Sequence, residues 1–196
     1  MKIKPYERKI IVEFLSNELC MSDKEISGIF DVTRSSITHY RKYHGIKKPL
    51  SIGRRGELIC VNRLRKLGFT VDDMNIDDPS MPYDLLIDGK IKVEIKTSTI
   101  NKNDDFSFTF SNAKKNGCRL NERVVELENG RTVKKYSYFA DYFVLVGIEL
   151  DEINFWVIPT DYYPVGTQSI TLKPNSKSVF KNNFGLLKED KPCQMK

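Results

Sequence analysis

Asp84, Glu94 and Lys96 are ionisable residues set into apolar surroundings. Asp84 opens the run Asp84-Leu85-Leu86-Ile87-Asp88, and the other two lie within Ile91-Lys92-Val93-Glu94-Ile95-Lys96. Both runs have the composition of strands, and Asp88-Gly89-Lys90 between them has the chemistry of a tight hairpin turn. Residues two apart on a strand point the same way, so Glu94 and Lys96 share a face, and Val93 and Ile95 share the opposite, apolar one. Charges in such strands are costly unless they face a ligand or one another. A solvated hairpin face is the plain alternative, but it leaves unexplained why the acids adjoin long apolar runs. Two carboxylates close together favour a cation between them. Mg²⁺, a hard cation, commonly takes one or two carboxylates plus water and phosphate oxygens, and Mn²⁺ is expected to substitute. Such a metal polarises a phosphodiester and acidifies a bound water. Lys96 beside it would orient or deprotonate that water and offset charge in the transition state. Glu57, on the preceding helical stretch, would complete the coordination if its helix packs along the sheet. The chemistry expected of this group is phosphodiester hydrolysis.

Pro82-Tyr83-Asp84 followed by Glu94-Ile95-Lys96, with Glu57 upstream, resembles the PD-(D/E)XK nuclease superfamily. Gly56-Glu57, Gly68-Phe69, Val93-Glu94-Ile95-Lys96-Thr97-Ser98, Tyr142-Phe143 and Val157-Ile158-Pro159 look most like the branch found with group I intron homing endonucleases. The resemblance covers roughly residues 54–160. It implies a restriction-endonuclease-like αβββαβ core, that is, an α/β fold with a mixed central sheet flanked by helices. It also implies a metal held by Asp84, Glu94 and the carbonyl of Ile95, Lys96 as base or stabiliser, and Glu57 as an outer metal contact. Tyr83 separates the motif's usual Pro-Asp pair, a variant common in that branch.

The elements expected to hold these residues follow from periodicity. Residues 56–67 form an amphipathic helix burying Leu58, Val61, Leu64 and Leu67, stopped at Gly68. Phe69-Thr70-Val71 begins a strand, and residues 72–80 read as a polar acidic loop. Beyond the hairpin, Phe106-Ser107-Phe108-Thr109-Phe110 alternates as a one-sided strand, Asn129-Gly130 marks a turn, and residues 142–148 and 155–158 read as buried strands. Residues 169–172 read as a short edge strand. The 112–136 insertion carries Lys114, Lys115, Arg119, Arg123, Lys134 and Lys135, candidates to flank a DNA groove. Tyr136, Tyr138, Phe139, Tyr162 and Tyr163 are candidates for stacking on bases or for packing.

The net charge of +6 is localised. Residues 1–56 hold 12 Lys/Arg and 6 Asp/Glu, whereas the other 140 residues hold 20 of each sign. A basic patch of this kind is what attraction to a phosphate backbone requires. The same segment reads as three short helices. Ile10, Ile11, Phe14, Leu15 and Leu19 mark the first, a Ser22–Glu25 capping box opens the second with Ile26 and Ile29 inside, and Thr33 caps the third through Ile37 and Tyr40. Two helices joined by a tight turn form a helix-turn-helix pattern, whose second helix would lie in the major groove. Arg34, Ser35, Ser36, Thr38 and His39 are then candidate base readers, and Arg41, Lys42, Lys47, Lys48, Arg54 and Arg55 candidate phosphate contacts.

The layout expected is therefore a helix-turn-helix module at 1–48, a basic linker at 49–55, a nuclease domain at 56–188 and a tail at 189–196. Cys20, Cys60, Cys118 and Cys193 lie too far apart for a zinc site and read as free thiols in a reducing cytoplasm. No apolar run reaches the length of a membrane span, and the first residues lack a secretory pattern. The function expected is cleavage of double-stranded DNA, with a homodimer or larger assembly serving the two strands. Two alternatives stay open: a structure-specific nuclease acting on junctions or flaps, and a non-catalytic helix-turn-helix regulator on a nuclease-like scaffold.

Overall fold

A computed structural model gives the fold and describes residues 5–19, 21–78, 80–113, 123–149 and 152–188. Cys20, Cys118, Cys193, Lys114, Lys115, Arg119 and the tail lie outside the described residues. The chain divides into two compact units, Met1–Arg55 and Gly56–Lys196.

The first unit holds α1 (Pro5–Asn17), α2 (Asp23–Phe30) and α3 (Arg34–His44). Their boundaries follow from local chemistry. Ser22 and Glu25 form the reciprocal capping box, Thr33 accepts the Ser36 amide, and Gly45 closes α3 at φ 66°. The core is Val12, Ile26, Ile37 and Ile46. Ile10, Phe14, Leu19 and Ile29 were expected inside, yet all four are exposed. The inward stripe of α1 runs instead through Val12 and Ser16.

A further helix, α4 (Ile52–Lys66), begins at Ser51, whose hydroxyl accepts the Arg54 amide at 3.2 Å. Residues 52–55, read as part of a basic linker, are thus helical, and Arg54 and Arg55 lie in the first turn of α4. Its inward face is Gly56, Cys60, Val61 and Leu64, so Cys60 takes the place expected for Leu58. Burial pushes the Cys60 thiol far above its usual range, which leaves it unreactive.

The second unit is α/β, with a central mixed sheet flanked by helices. The sheet contains β1 (Val71–Asp73), β2 (Leu85–Ile87), β3 (Ile91–Thr99), β8 (Tyr142–Ile148) and β9 (Ile153–Pro159), side by side in that order. β3 and β8 run parallel, and the other neighbours are antiparallel. Between them in sequence lie β4 (Phe106–Thr109), β5 (Ser111–Ala113), β6 (Val124–Glu126), β7 (Arg131–Lys134) and a 3-10 turn at Tyr136–Tyr138. β10 (Ser169–Leu172) pairs with β4. The acidic segment is ordered: β1 runs to Asp73, and Met74–Asp77 form a one-turn helix, α5. Where the resemblance implied a second helix before β8, the described residues show strands and the 3-10 turn.

The β2–β3 hairpin turns at Asp88 (φ 50°) and Gly89 (φ 67°), both left-handed as a type I′ turn requires. Each face of the sheet is packed. Val93, Ile95, Val144, Val146 and Val157 join Cys60, Val61 and Leu64 in one core. Phe143, Leu145, Trp156 and Ile158 join Phe106, Phe108 and Phe110 in the other. Phe106 and Phe108 meet Trp156 edge-on at 5.7 and 6.0 Å, contacts worth about 0.5–1.5 kcal/mol each beyond their buried area. No helix among the described residues is long and apolar enough to cross a membrane.

Candidate active site

Asp84 is fixed by its backbone. Its N–H donates to Val93 O and its carbonyl accepts from Met74 N–H, both at 3.0 Å. Tyr83, the residue inserted in the motif, packs against Met74 and Ala140 and anchors the approach. The carboxylate then turns back on β3, where Oδ2 accepts the Ile95 N–H at 2.7 Å. Asp84 is thereby held against the backbone between Glu94 and Lys96.

Glu94 pairs across the sheet with Phe143 and Lys96 with Leu145, so both side chains lie on the aromatic face. Glu94 is 5% exposed. Its Oε1 accepts from Lys96 Nζ at 2.5 Å, and that nitrogen lies 5.1 Å from the centre of the Tyr136 ring. Tyr136 is buried, donates its hydroxyl to Phe110 O at 3.3 Å and stacks edge-on against Phe143 at 5.0 Å. Burial pushes the Glu94 carboxyl above its usual range, and the Asp84 charge adds to that while Lys96 opposes it. For Lys96, burial alone disfavours the charged form. The adjoining Glu94, Tyr136 and Asp84 outweigh it and hold the amine above the usual lysine range. The result is a half-buried lysine whose ammonium sits between a buried acid and an aromatic ring.

Glu57 reaches its place through Gly56. A Cβ on Gly56 would lie 1.9 Å from Thr97 Oγ1, so α4 crosses β3 closely enough that only glycine fits there. Glu57 Oε2 accepts from Asn75 Nδ2 at 3.1 Å. The geometry thus brings Asp84, Glu94 and Lys96 into one group and ties Glu57 to α5 beside β1. Asn75 escaped the sequence reading, which named Tyr136 as a stacking or packing residue but not as a neighbour of Lys96. Asn75 sits in what reads as a loop, and Tyr136 is forty residues from Lys96 with no local pattern linking them.

No cluster of three or more His, Cys, Asp or Glu side chains poised for a metal occurs among the described residues. The donor set is two carboxylates plus a main-chain carbonyl. It is all hard oxygen, and the Asp84 charge adds to the cost of ionising the buried Glu94, a combination that suits a hard cation such as Mg²⁺.

In the first unit, Arg34, Ser35, Ser36 and His39 are exposed on α3, as are Lys42 and, after the helix, Lys47 and Lys48. Arg41 corrects the expectation of a phosphate contact. It is 5% exposed, and its Nε and Nη2 grip the two Asp23 oxygens at 2.6 and 2.8 Å. Thr38 donates its hydroxyl to Asp23 Oδ2 at 2.6 Å, which takes that proton away from base reading.

No protein-family model matches the chain, and no characterised protein matches it in sequence. The solved structure of a bacterial homing endonuclease, I-Ssp6803I, does match: TM-score 0.50 over 69% of this chain and 90% of that one, at 18% identity. The likeness is one of fold, and the fold is nuclease-like.

Proposed function

We propose that this chain is a metal-dependent DNA endonuclease hydrolysing phosphodiester bonds in duplex DNA. The observation that carries the reading is the Asp84 carboxylate bonded to the Ile95 amide beside the buried Glu94 and its half-buried partner Lys96. A strand–strand junction has no structural need for two acids and a lysine there, and ionisable groups clustered at such a cost mark a functional site. Asp84, Glu94 and the Ile95 carbonyl would hold Mg²⁺ or Mn²⁺, with Glu57 as an outer contact. Bound there, the metal supplies Lewis acidity toward a phosphate oxygen and a more acidic water. Lys96, already protonated against Glu94, donates to a non-bridging phosphate oxygen and offsets the charge that develops on it. Tyr136 keeps the ammonium from swinging out to solvent. The α2–α3 pair serves as a helix-turn-helix that docks on DNA through Arg34, Ser35, Ser36 and His39 toward bases and Lys42, Lys47 and Lys48 toward phosphates. Two copies would cut the two strands.

The test is incubation of the full chain with linear, nicked and four-way DNA, in Mg²⁺ and in EDTA. Cleavage of linear duplex in Mg²⁺ alone is expected. Equal cleavage in EDTA, or no cleavage of any substrate, refutes the reading, and cleavage confined to the branched substrates assigns a structure-specific nuclease instead.

A further inference from the structure

Beside the site lies a cavity of about 210 Å³ that the hydrolysis does not use. Its inner wall is Phe110, Val133, Tyr136 and Phe143, all buried. Tyr136 is the shared partition: one side of this residue lines the cavity, and its ring centre is 5.1 Å from Lys96 Nζ. The half-buried Tyr163 adds another aromatic surface. Lys134, Lys135, Ser137 and Asp161, all partly or fully exposed, line it as well.

We propose that this cavity receives one unstacked nucleobase of the substrate DNA next to the phosphate being cut, while Lys134 and Lys135 face the phosphates flanking that base. The inference rests on the nuclease reading above. Flat heterocycles are taken up by apolar, aromatic-walled pockets with a few polar groups at the edge, and stacking on aromatic side chains is tolerant of base identity. The two lysines complement the charge of a sugar–phosphate chain at the mouth, a match that an uncharged apolar ligand would not use. Sharing Tyr136 sets the base within a ring's width of Lys96, so that seating the base also seats the adjoining phosphate over Asp84 and Glu94.

The test compares binding of the full-length protein to an oligodeoxythymidine and to an abasic oligomer of equal length. Val165, 63% exposed and lining the cavity, is replaced by Trp to narrow the mouth without touching the core. Tyr163→Ala removes a wall and serves as the second variant. The wild-type protein should favour the base-bearing oligomer by about tenfold, and both variants should lose that preference while binding the abasic oligomer unchanged. Equal binding of the two oligomers by wild type, or a preference that survives both substitutions, overturns the pocket. Because the readout is binding, a protein that shows the preference but cuts no DNA refutes the nuclease reading and not the pocket. One that cuts DNA without the preference refutes only the pocket.

Discussion

The reassignment of Arg41 from DNA contact to internal strut can be tested by removing its partner. Asp23 and Arg41 are 8% and 5% exposed, joined by two hydrogen bonds, and Thr38 completes the Asp23 carboxylate. In Asp23→Ala the guanidinium is left buried without a counter-charge, which typically costs about 3–5 kcal/mol. A surface pair would cost about 0–1 kcal/mol. Against a total stability of roughly 5–15 kcal/mol, the larger figure removes between a third and all of it. The ion pair with Arg41, with help from Thr38, holds the Asp23 carboxyl below its usual range. Its contribution is therefore fully present above the unfolded-state value of about 3.9 and is lost as pH falls through the lower folded-state value. Urea unfolding followed by circular dichroism, run at neutral pH and down through the acid range, measures both effects. A loss under about 1 kcal/mol in Asp23→Ala, or wild-type stability that does not fall as the pH drops below 4, refutes the strut. The double variant Asp23→Leu/Arg41→Met should recover most of the loss.

Gly56→Ala forces a methyl onto the Thr97 side chain and should cost about 1–3 kcal/mol, with cleavage falling further than DNA affinity as Glu57 shifts; thermal melting and cleavage rates check it. Tyr136→Phe keeps the ring over Lys96 and should retain most activity, whereas Tyr136→Ala removes both that ring and a wall of the cavity and should lower kcat by tenfold or more and raise KM as well. Lys42→Ala should weaken DNA binding at every sequence and reduce the slope of log affinity against log salt by about 1, measured by titration at several salt concentrations.

Much of the second unit is legible in the sequence because its signals are local. Asp88-Gly89 favours a tight turn that sets the β2–β3 register, and the period of two along β3 places Glu94 and Lys96 on a common face. The capping residues Ser22 and Thr33 mark their helices for the same reason. Errors arise where tertiary contact decides. The Ile10, Phe14 and Leu19 stripe is apolar but faces outward, because the three-helix core is filled from Val12. The acidic stretch after Val71 looks like loop because Asp73, Asn75 and Asp77 are polar, yet pairing of β1 with β2 and the Asp73 cap on the Asn75 amide make Asp72–Asp73 strand and Met74–Asp77 helix. Arg41 reads as one more cation in a basic run, and only the fold reveals Asp23 beneath it. Tyr136 joins Lys96 by long-range packing that no spacing encodes.

The account stands or falls on whether Asp84, Glu94 and Lys96 work as one centre. Single-turnover cleavage by wild type and by Lys96→Ala, on a duplex carrying the wild-type cut site in Mg²⁺, tests it most directly. A rate loss of about a hundredfold or more, with DNA affinity and the circular dichroism spectrum unchanged, is the result expected. A Lys96→Ala protein that cuts within a few-fold of the wild-type rate would contradict it.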